Sequence, residues 1–240
     1  MAGLLLTRPR AAAEQFAADL DAQTRAGLIV IVAPLIETCR TGPVGTGSCG
    51  RDVIFSSANA VRYAAAPLSD QQAYCVGQRT VEAARAFGWQ ADYCGQDADG
   101  LIATLTDAPP MRPLVHMHGT HTRGNIAARL RAAGMDCDEQ VIYDQPTLSY
   151  NKDARLLIDA QVSLIVPLFS PRTAAQFVKL APYLADLYLI ALSSAVAGPL
   201  KGLNCKDLRI CKAPTGDNMQ DLVRDAAVAL ARVEGGSSAQ

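Results

Sequence analysis

The sequence has no excess of basic residues, since 22 Lys and Arg stand against 23 Asp and Glu for a net charge of −1. Nucleic acids and anionic membranes are therefore not expected as partners, because binding them depends largely on basic side chains that displace counterions. No apolar run approaches the roughly 20 residues that span a bilayer. The start, "MAGLLLTRPR", differs from a signal peptide because its basic residues follow a short apolar run.

Cysteine is present seven times, but no two cysteines form a C-x-x-C pair. An odd number of cysteines without a paired spacing suits reduced thiols better than a disulfide framework. We therefore expect a cytoplasmic protein. Few charged stripes or heptads mark a partner surface, which favours a monomer.

Two phosphate-binding motifs are also missing in a usable form. Gly45, Gly47 and Gly50 match G-x-G-x-x-G, but the strand-like "RDVIFSS" follows them instead of the helix that a dinucleotide needs. We interpret these glycines as part of a linker. The sequence contains no G-x-x-x-x-G-K-[ST] either.

What the sequence does have is a regular alternation of short apolar runs with amphipathic segments. Runs such as "LLLTRP", "DVIFSS", "LVHMHG" and "VSLIVPLFS" are apolar on both faces, which is typical of parallel strands covered by helices on both sides. The pattern predicts an α/β fold with two parallel-sheet domains. Loop-rich connectors near residues 38–51 and 146–153 predict an inserted α/β domain over 42–145. They also predict a discontinuous domain built from 1–37 plus 150–240.

Several predicted strands end in a small polar residue or glycine and lead directly into a helix. These ends are Ser56–Ser57, Gly77, Gly119, Ser170–Pro171 and Ser193–Ser194. Helix starts offer unpaired N–H groups and the positive end of the dipole, so several of them together would suit an anionic ligand. Any one of them can also be an ordinary cap.

All three histidines lie in "HMHGTH". His116 and His118 share one face of a strand, so chelation is possible, but no fourth ligand of matching type lies nearby and no metal site is expected. Acid–base work is a second possibility. A third is an anion cradle formed by His118, Arg123 and the helix start near Gly124. His116 can also be an ordinary polar residue at a strand end.

Tyr143 in "VIYDQ" precedes the second connector directly. A phenol can donate a hydrogen bond without ionising, because its unperturbed pKa is about 10. A half-buried tyrosine at a domain seam is the alternative.

Taken together, the segments resemble the uroporphyrinogen-III synthase family. The resemblance rests on "LLLTRP", "APLIE", "DVIFSSANAV", "CVGQRTVEAARAFG", "DADGLIATL", "HGTHTRGNIAARLRAAG", "VIYDQ", "VPLFSPRTAAQF" and "KAPTGDNM" in this order. It implies two α/β domains joined by two extended strands, with a substrate cleft between them. It also implies conversion of hydroxymethylbilane to uroporphyrinogen III, with loss of water and inversion of ring D, without metal or organic cofactor.

The resemblance further suggests roles for individual residues. Tyr143 matches the tyrosine of the family's "VIYDQ"-like strand and is the candidate general acid. His118 stands where the family often has arginine, Ser56 where threonine is frequent, and Ser193 and Ser194 where threonines are common. The expected substrate contacts are Arg8, Ser56, Ser57, Gly77, Thr80, His118, Gly119, Arg123, Ser170, Pro171, Arg172, Ser193 and Ser194. A non-catalytic two-domain hinge protein that binds a small anion is the main alternative, and a nicotinamide oxidoreductase is a distant third.

Overall fold

The structure, a computed structural model, describes residues 1–42, 50–68, 70–160 and 162–237. Gly45 and Gly47, interpreted above as linker, lie outside the described residues. The chain divides into two compact units. We call Met1–Glu37 with Thr147–Gln240 the terminal unit, and Thr38–Pro146 the middle unit.

The terminal unit is built on five parallel strands in the order β11-β10-β9-β1-β2. The strands are β1 (Ala2–Leu6), β2 (Leu28–Val32), β9 (Ser163–Leu168), β10 (Asp186–Ala191) and β11 (Asp207–Ile210). Its helices are α1 (Arg10–Asp19), α2 (Ala22–Ala26), α7 (Lys152–Asp159), α8 (Pro171–Lys179), α9 (Ser194–Ala197), a 3₁₀ turn (Gly198–Gly202) and α10 (Gly216–Ser237).

Apolar side chains cover both faces of this sheet. Phe16 of α1 and Met219 and Val223 of α10 pack on one face, and Ile158 of α7 and Phe177 of α8 pack on the other. The apolar residues of α1 and its C-cap recur at i, i+3, i+4 and i+7 and are buried; they are Ala13, Phe16, Ala17 and the C-cap residue Leu20. Burial of this stripe gives the helix most of its stability.

The middle unit has six strands in the order β3-β8-β7-β4-β5-β6. They are β3 (Cys39–Arg40), β4 (Asp52–Phe55), β5 (Gln72–Cys75), β6 (Gln90–Tyr93), β7 (Leu114–Gly119) and β8 (Cys137–Asp144). Its helices are α3 (Ala58–Tyr63), α4 (Gln78–Ala86), α5 (Ala98–Asp107) and α6 (Ile126–Ala132). All strand pairs are parallel except β3 with β8, which is antiparallel.

The middle sheet is also covered on both faces. Val61 of α3 and Val81 of α4 pack on one face, while Leu101 of α5 and Leu130 of α6 pack on the other. The predicted α/β class, with two parallel sheets covered by helices on both sides, is confirmed. Within the described ranges, no helix combines the length and apolar character needed to cross a bilayer.

Candidate active site

In the middle unit, the carboxyl ends of neighbouring strands carry several of the predicted residues. Ser57 follows β4 and caps α3, where its hydroxyl accepts a hydrogen bond from the Asn59 N–H at 3.2 Å. Gly77 follows β5 and stands before α4 with φ of 77°, a conformation that glycine adopts without strain. Ser56 is partly exposed, whereas Thr80 is only 5% exposed. Thr80 lies in the first turn of α4, and its backbone N–H donates to the Gly77 carbonyl at 3.0 Å.

Tyr143 lies near the end of β8 and is buried. Its ring stacks on Tyr63 with centroids 5.7 Å apart, and the Tyr63 hydroxyl donates to the Thr38 carbonyl at 2.6 Å. Burial raises the pKa of Tyr143 above its usual value of 10.0, and a hydrogen bond with the Ser57 side chain offsets part of the rise. The phenol therefore stays protonated near neutral pH and can donate a hydrogen bond.

Gly119 ends β7 directly beside the Tyr143 ring. A Cβ atom at this position would lie 2.5 Å from Cζ and 2.6 Å from Cε2 of Tyr143. Carbon atoms at van der Waals contact are about 3.5–4.0 Å apart, so only glycine leaves room for the ring. The glycine that the sequence suggested as an anion receptor also makes space for the tyrosine.

The two histidines of β7 share one face of the strand, as predicted, with ring centroids 4.6 Å apart. His116 is 1% exposed, and its Nε2 lies 2.8 Å from the Ser56 hydroxyl. Burial, together with the nearby His118, lowers the pKa of His116 to about 3. His116 is therefore neutral near pH 7, and a role as a cation is excluded there.

His118, expected to help seat a carboxylate with Arg123, is buried. It is 6% exposed, its Nδ1 lies 2.8 Å from the Gly119 carbonyl oxygen, and its Nε2 lies 3.7 Å from a Glu139 carboxylate oxygen. The Nδ1 atom is therefore engaged within the strand, whereas Nε2 has no hydrogen-bond partner among the described residues. Among the described side chains, no three His, Cys, Asp or Glu groups come together in an arrangement that could hold a metal ion.

Arg123 is exposed and lines a pocket of about 350 Å³ together with Ser56 and Val76. The start of α5 and the segment that precedes α6 complete the walls. The helix expected near Gly124 begins instead at Ile126, because Gly124 has φ of 86° and Asn125 has φ of 44°. Residues with positive φ cannot belong to a right-handed helix, so the helix starts at the next residue.

In the terminal unit, the ends of β1 and β9 lie side by side because the two strands pair. Ser170 caps α8 by accepting from the Thr173 N–H at 3.1 Å, and Pro171 opens the helix, as predicted. The Arg8 guanidinium lies 4.0 Å above the centre of the Phe169 ring, a cation–π contact. Arg8 and Ser170 thus belong to one corner of the sheet.

The other predicted residues of this unit lie at the starts of α8 and α9. Arg172 is partly buried in the first turn of α8. Ser193 holds the N-cap position of α9, but its side chain makes no cap hydrogen bond, and Ser194 is exposed. Ser193 caps α9 through its backbone carbonyl, which accepts from the N–H groups of Val196 and Ala197.

Sequence reasoning missed Tyr63 and Phe169. Tyr63 lies 80 positions from the tyrosine on which it stacks, and Phe169 was read only as part of an apolar strand. A local pattern does not reveal such partners. Phe169 lies between β9 and α8, where the other predicted residues also cluster, but Tyr63 is the last residue of α3 and carries no such signal.

Comparison with known proteins agrees with this architecture. The structure of uroporphyrinogen-III synthetase from Helicobacter pylori superposes with a TM-score of 0.64 at 14% identity, covering 94% of this chain and 100% of that one. A mutant uroporphyrinogen III synthase from Thermus thermophilus gives 0.50 at 13% identity, covering 95% and 99%. At these identities the likeness shows the fold.

No curated protein sequence matches the chain. The family model described as uroporphyrinogen-III synthase HemD, however, matches residues 15–221. That range takes in the whole middle unit and most of the terminal unit. The chain belongs to the uroporphyrinogen-III synthase family.

Proposed function

We propose that this protein closes hydroxymethylbilane to uroporphyrinogen III, with loss of water and inversion of ring D. The observation that carries the proposal is the family match over residues 15–221. The members of this family are cyclising hydro-lyases of tetrapyrrole biosynthesis, and they act on a small molecule. We assign the substrate of this chain from its membership in the family.

The strand ends supply the kind of receptors that such a substrate needs. Hydroxymethylbilane carries acetate and propionate groups on all four rings, and backbone N–H groups at helix starts bind anions without a basic overall charge. Ser57 and Gly77 in the middle unit and Ser170 in the terminal unit stand at such positions. A protein of net charge −1 can therefore hold a polyanion through local dipoles.

Tyr143 is our candidate for the donor to the leaving hydroxyl. Departure of that group as water leaves an electron-deficient azafulvene, which ring D attacks through its substituted carbon to form a spiro intermediate. A neutral buried phenol can assist the departure by donating its proton in a hydrogen bond. Tyr63, Ser57 and Gly119 support this role, because they fix the ring and its hydroxyl.

The rest of the catalysis is positioning. Uncatalysed closure gives the unrearranged type I isomer, so the enzyme must hold the substituted carbon of ring D close to the azafulvene. We propose that the reaction needs no metal or organic cofactor and that a monomer carries it out in the cytoplasm. The free thiols of the described cysteines, four of them buried, suit a reducing compartment.

The test is isomer analysis in a coupled reaction. Hydroxymethylbilane is generated in situ, chelator-treated protein is added, the products are oxidised, and the type I and type III porphyrins are separated. We expect mainly type III, with no gain when Zn²⁺ or Mg²⁺ is restored. A product mixture identical to the enzyme-free control would reject the synthase activity, and tight binding without a change in isomer ratio would favour a hinge-binding protein.

A further inference from the structure

His116 is a buried polar residue that the proposed reaction leaves without a role. It lies on β7, which pairs with β4 and β8 inside the middle sheet. Only 1% of its surface is exposed, yet its Nε2 reaches the Ser56 hydroxyl at 2.8 Å across the β4–β7 pair. A polar side chain placed so deeply is costly unless its hydrogen bond is kept.

Ser56, the hydrogen-bond partner of this buried histidine, reaches the protein surface. It is partly exposed and lines the 350 Å³ pocket together with Arg123. Two carboxylates also line the pocket, but both are engaged. Asp97 accepts from the Gly100 N–H at 2.9 Å as the cap of α5, and Asp99 pairs with Arg129 at 2.7 Å. The Ser56 hydroxyl and the Arg123 guanidinium supply donors that suit a carboxylate.

Resting on the proposed function, we infer that His116 is a positioning residue that makes Ser56 a hydrogen-bond donor toward a carboxylate of the substrate. A serine hydroxyl has one proton and two lone pairs. When His116 carries its proton on Nε2 and donates to Ser56, the serine proton is left to point into the pocket. With a bare Nε2, His116 would take that proton, and the serine would present only lone pairs to an anion.

The surroundings of His116 fit this assignment. Burial, with the His118 ring at 4.6 Å, keeps the imidazole uncharged and lowers its pKa to about 3. A neutral imidazole has one N–H, so its tautomer fixes the direction of the hydrogen bond. Glu139 lies beside His118, at 3.7 Å from its Nε2.

The direct test is nitrogen NMR of the whole protein with ¹⁵N-labelled histidine. Only three histidines have to be assigned, and His116→Gln and His118→Gln identify two of them. We expect a neutral His116 with its proton on Nε2, and a shifted Nε2 resonance in Ser56→Ala. A proton on Nδ1, or an Nε2 resonance unchanged by Ser56→Ala, would overturn the inference.

The kinetic test separates positioning from general damage. His116→Leu should raise the KM for hydroxymethylbilane about tenfold with kcat nearly unchanged, because the substrate carboxylates do not react and a contact to one of them acts equally in ground and transition states. His116→Gln, whose amide N–H₂ can still donate, should recover most of the affinity. The double variant Ser56→Ala/His116→Leu should have the same KM as Ser56→Ala alone, since both changes remove the same contact to the substrate.

Gln71→Leu is the matched control. Gln71 is 2% exposed and, at the opposite end of the same sheet, donates to the Arg51 carbonyl and accepts from the Leu68 N–H, each at 2.9 Å. Gln71→Leu should lower the free energy of unfolding as His116→Leu does and should leave the KM for hydroxymethylbilane unchanged. Equal KM values for the two leucine variants, or additive effects in the double mutant, would refute a role through Ser56. Wild-type protein that makes no type III isomer would instead reject the proposed function, while the NMR result still decides the direction of the hydrogen bond.

Discussion

Gly119→Ala tests whether the placement of Tyr143 governs turnover. The added Cβ would lie 2.5 Å from Cζ and 2.6 Å from Cε2 of the tyrosine, so the ring must move by about 1 Å to restore contact distance. The ring is buried and stacked on Tyr63, and forcing it aside should cost about 1–3 kcal/mol of unfolding free energy. A misplacement of about 1 Å in a positioned group can reduce turnover about 100-fold.

The assay measures type III formation and urea unfolding for the same preparations. Gly198→Ala is the control, because Gly198 has φ of −47° and nothing lies within 4 Å of its added Cβ. Gly119→Ala with Tyr143→Leu should regain stability, since the smaller side chain removes the clash, but it should not regain turnover. Wild-type stability and turnover in Gly119→Ala would refute the argument from close contact.

Three further predictions follow from single side chains. Tyr143→Phe should lower kcat by about 100-fold with little loss of stability, because the ring packing remains and only the donor is removed; turnover close to wild type would end its role as donor. Ser170→Ala should cost about 1 kcal/mol in urea unfolding, because α8 loses the cap bond to the Thr173 N–H, whereas the exposed Ser194 changed to Ala should cost little. The pKa of Asp21 is lowered from 3.8 to about 2, first by hydrogen bonds from the Thr24 N–H and hydroxyl and then by Arg224. The stabilisation of the folded protein by this carboxylate is therefore complete above about pH 5 and is lost as the pH falls toward 2. Asp21→Asn keeps a good cap but cannot titrate, so its unfolding free energy should fall less steeply over that range; parallel curves for both proteins would contradict this.

Much of the fold was predictable because local patterns decide it. Apolar runs without alternation indicated strands buried on both faces, and Ser57 and Ser170 indicated helix starts where their side chains do accept from the backbone. The short strand β3 was missed because Cys39 and Arg40 lie in a loop-like segment, and only pairing with Tyr143 and Asp144 makes them extended. The start of α6 was predicted near Gly124, and the left-handed conformation of Asn125 sets it at Ile126.

The site was predictable in outline but not in its contacts. Strand ends pointed to Ser56 and Ser57 in the middle unit and to Ser170 in the terminal unit, since residues that follow parallel strands lie at the carboxyl edge of their own sheet. Burial of His118, by contrast, depends on how the sheet is covered, which a strand-end position does not reveal. The hydrogen bond between Ser56 and His116 joins residues 60 positions apart, and it exists only because β4 and β7 pair.

The discontinuous terminal unit has a consequence for the order in which the chain can fold. β1 lies between β2 and β9, and Gly3 is paired with Leu164 across the whole of the middle unit. During synthesis, Thr38–Pro146 is complete before β9 has been made, so the middle unit can fold while β1 still lacks one neighbour. Closing the terminal sheet requires contacts of high sequence separation, which form slowly. Until then, the edge of β1 that β9 later covers is open to pairing with another chain.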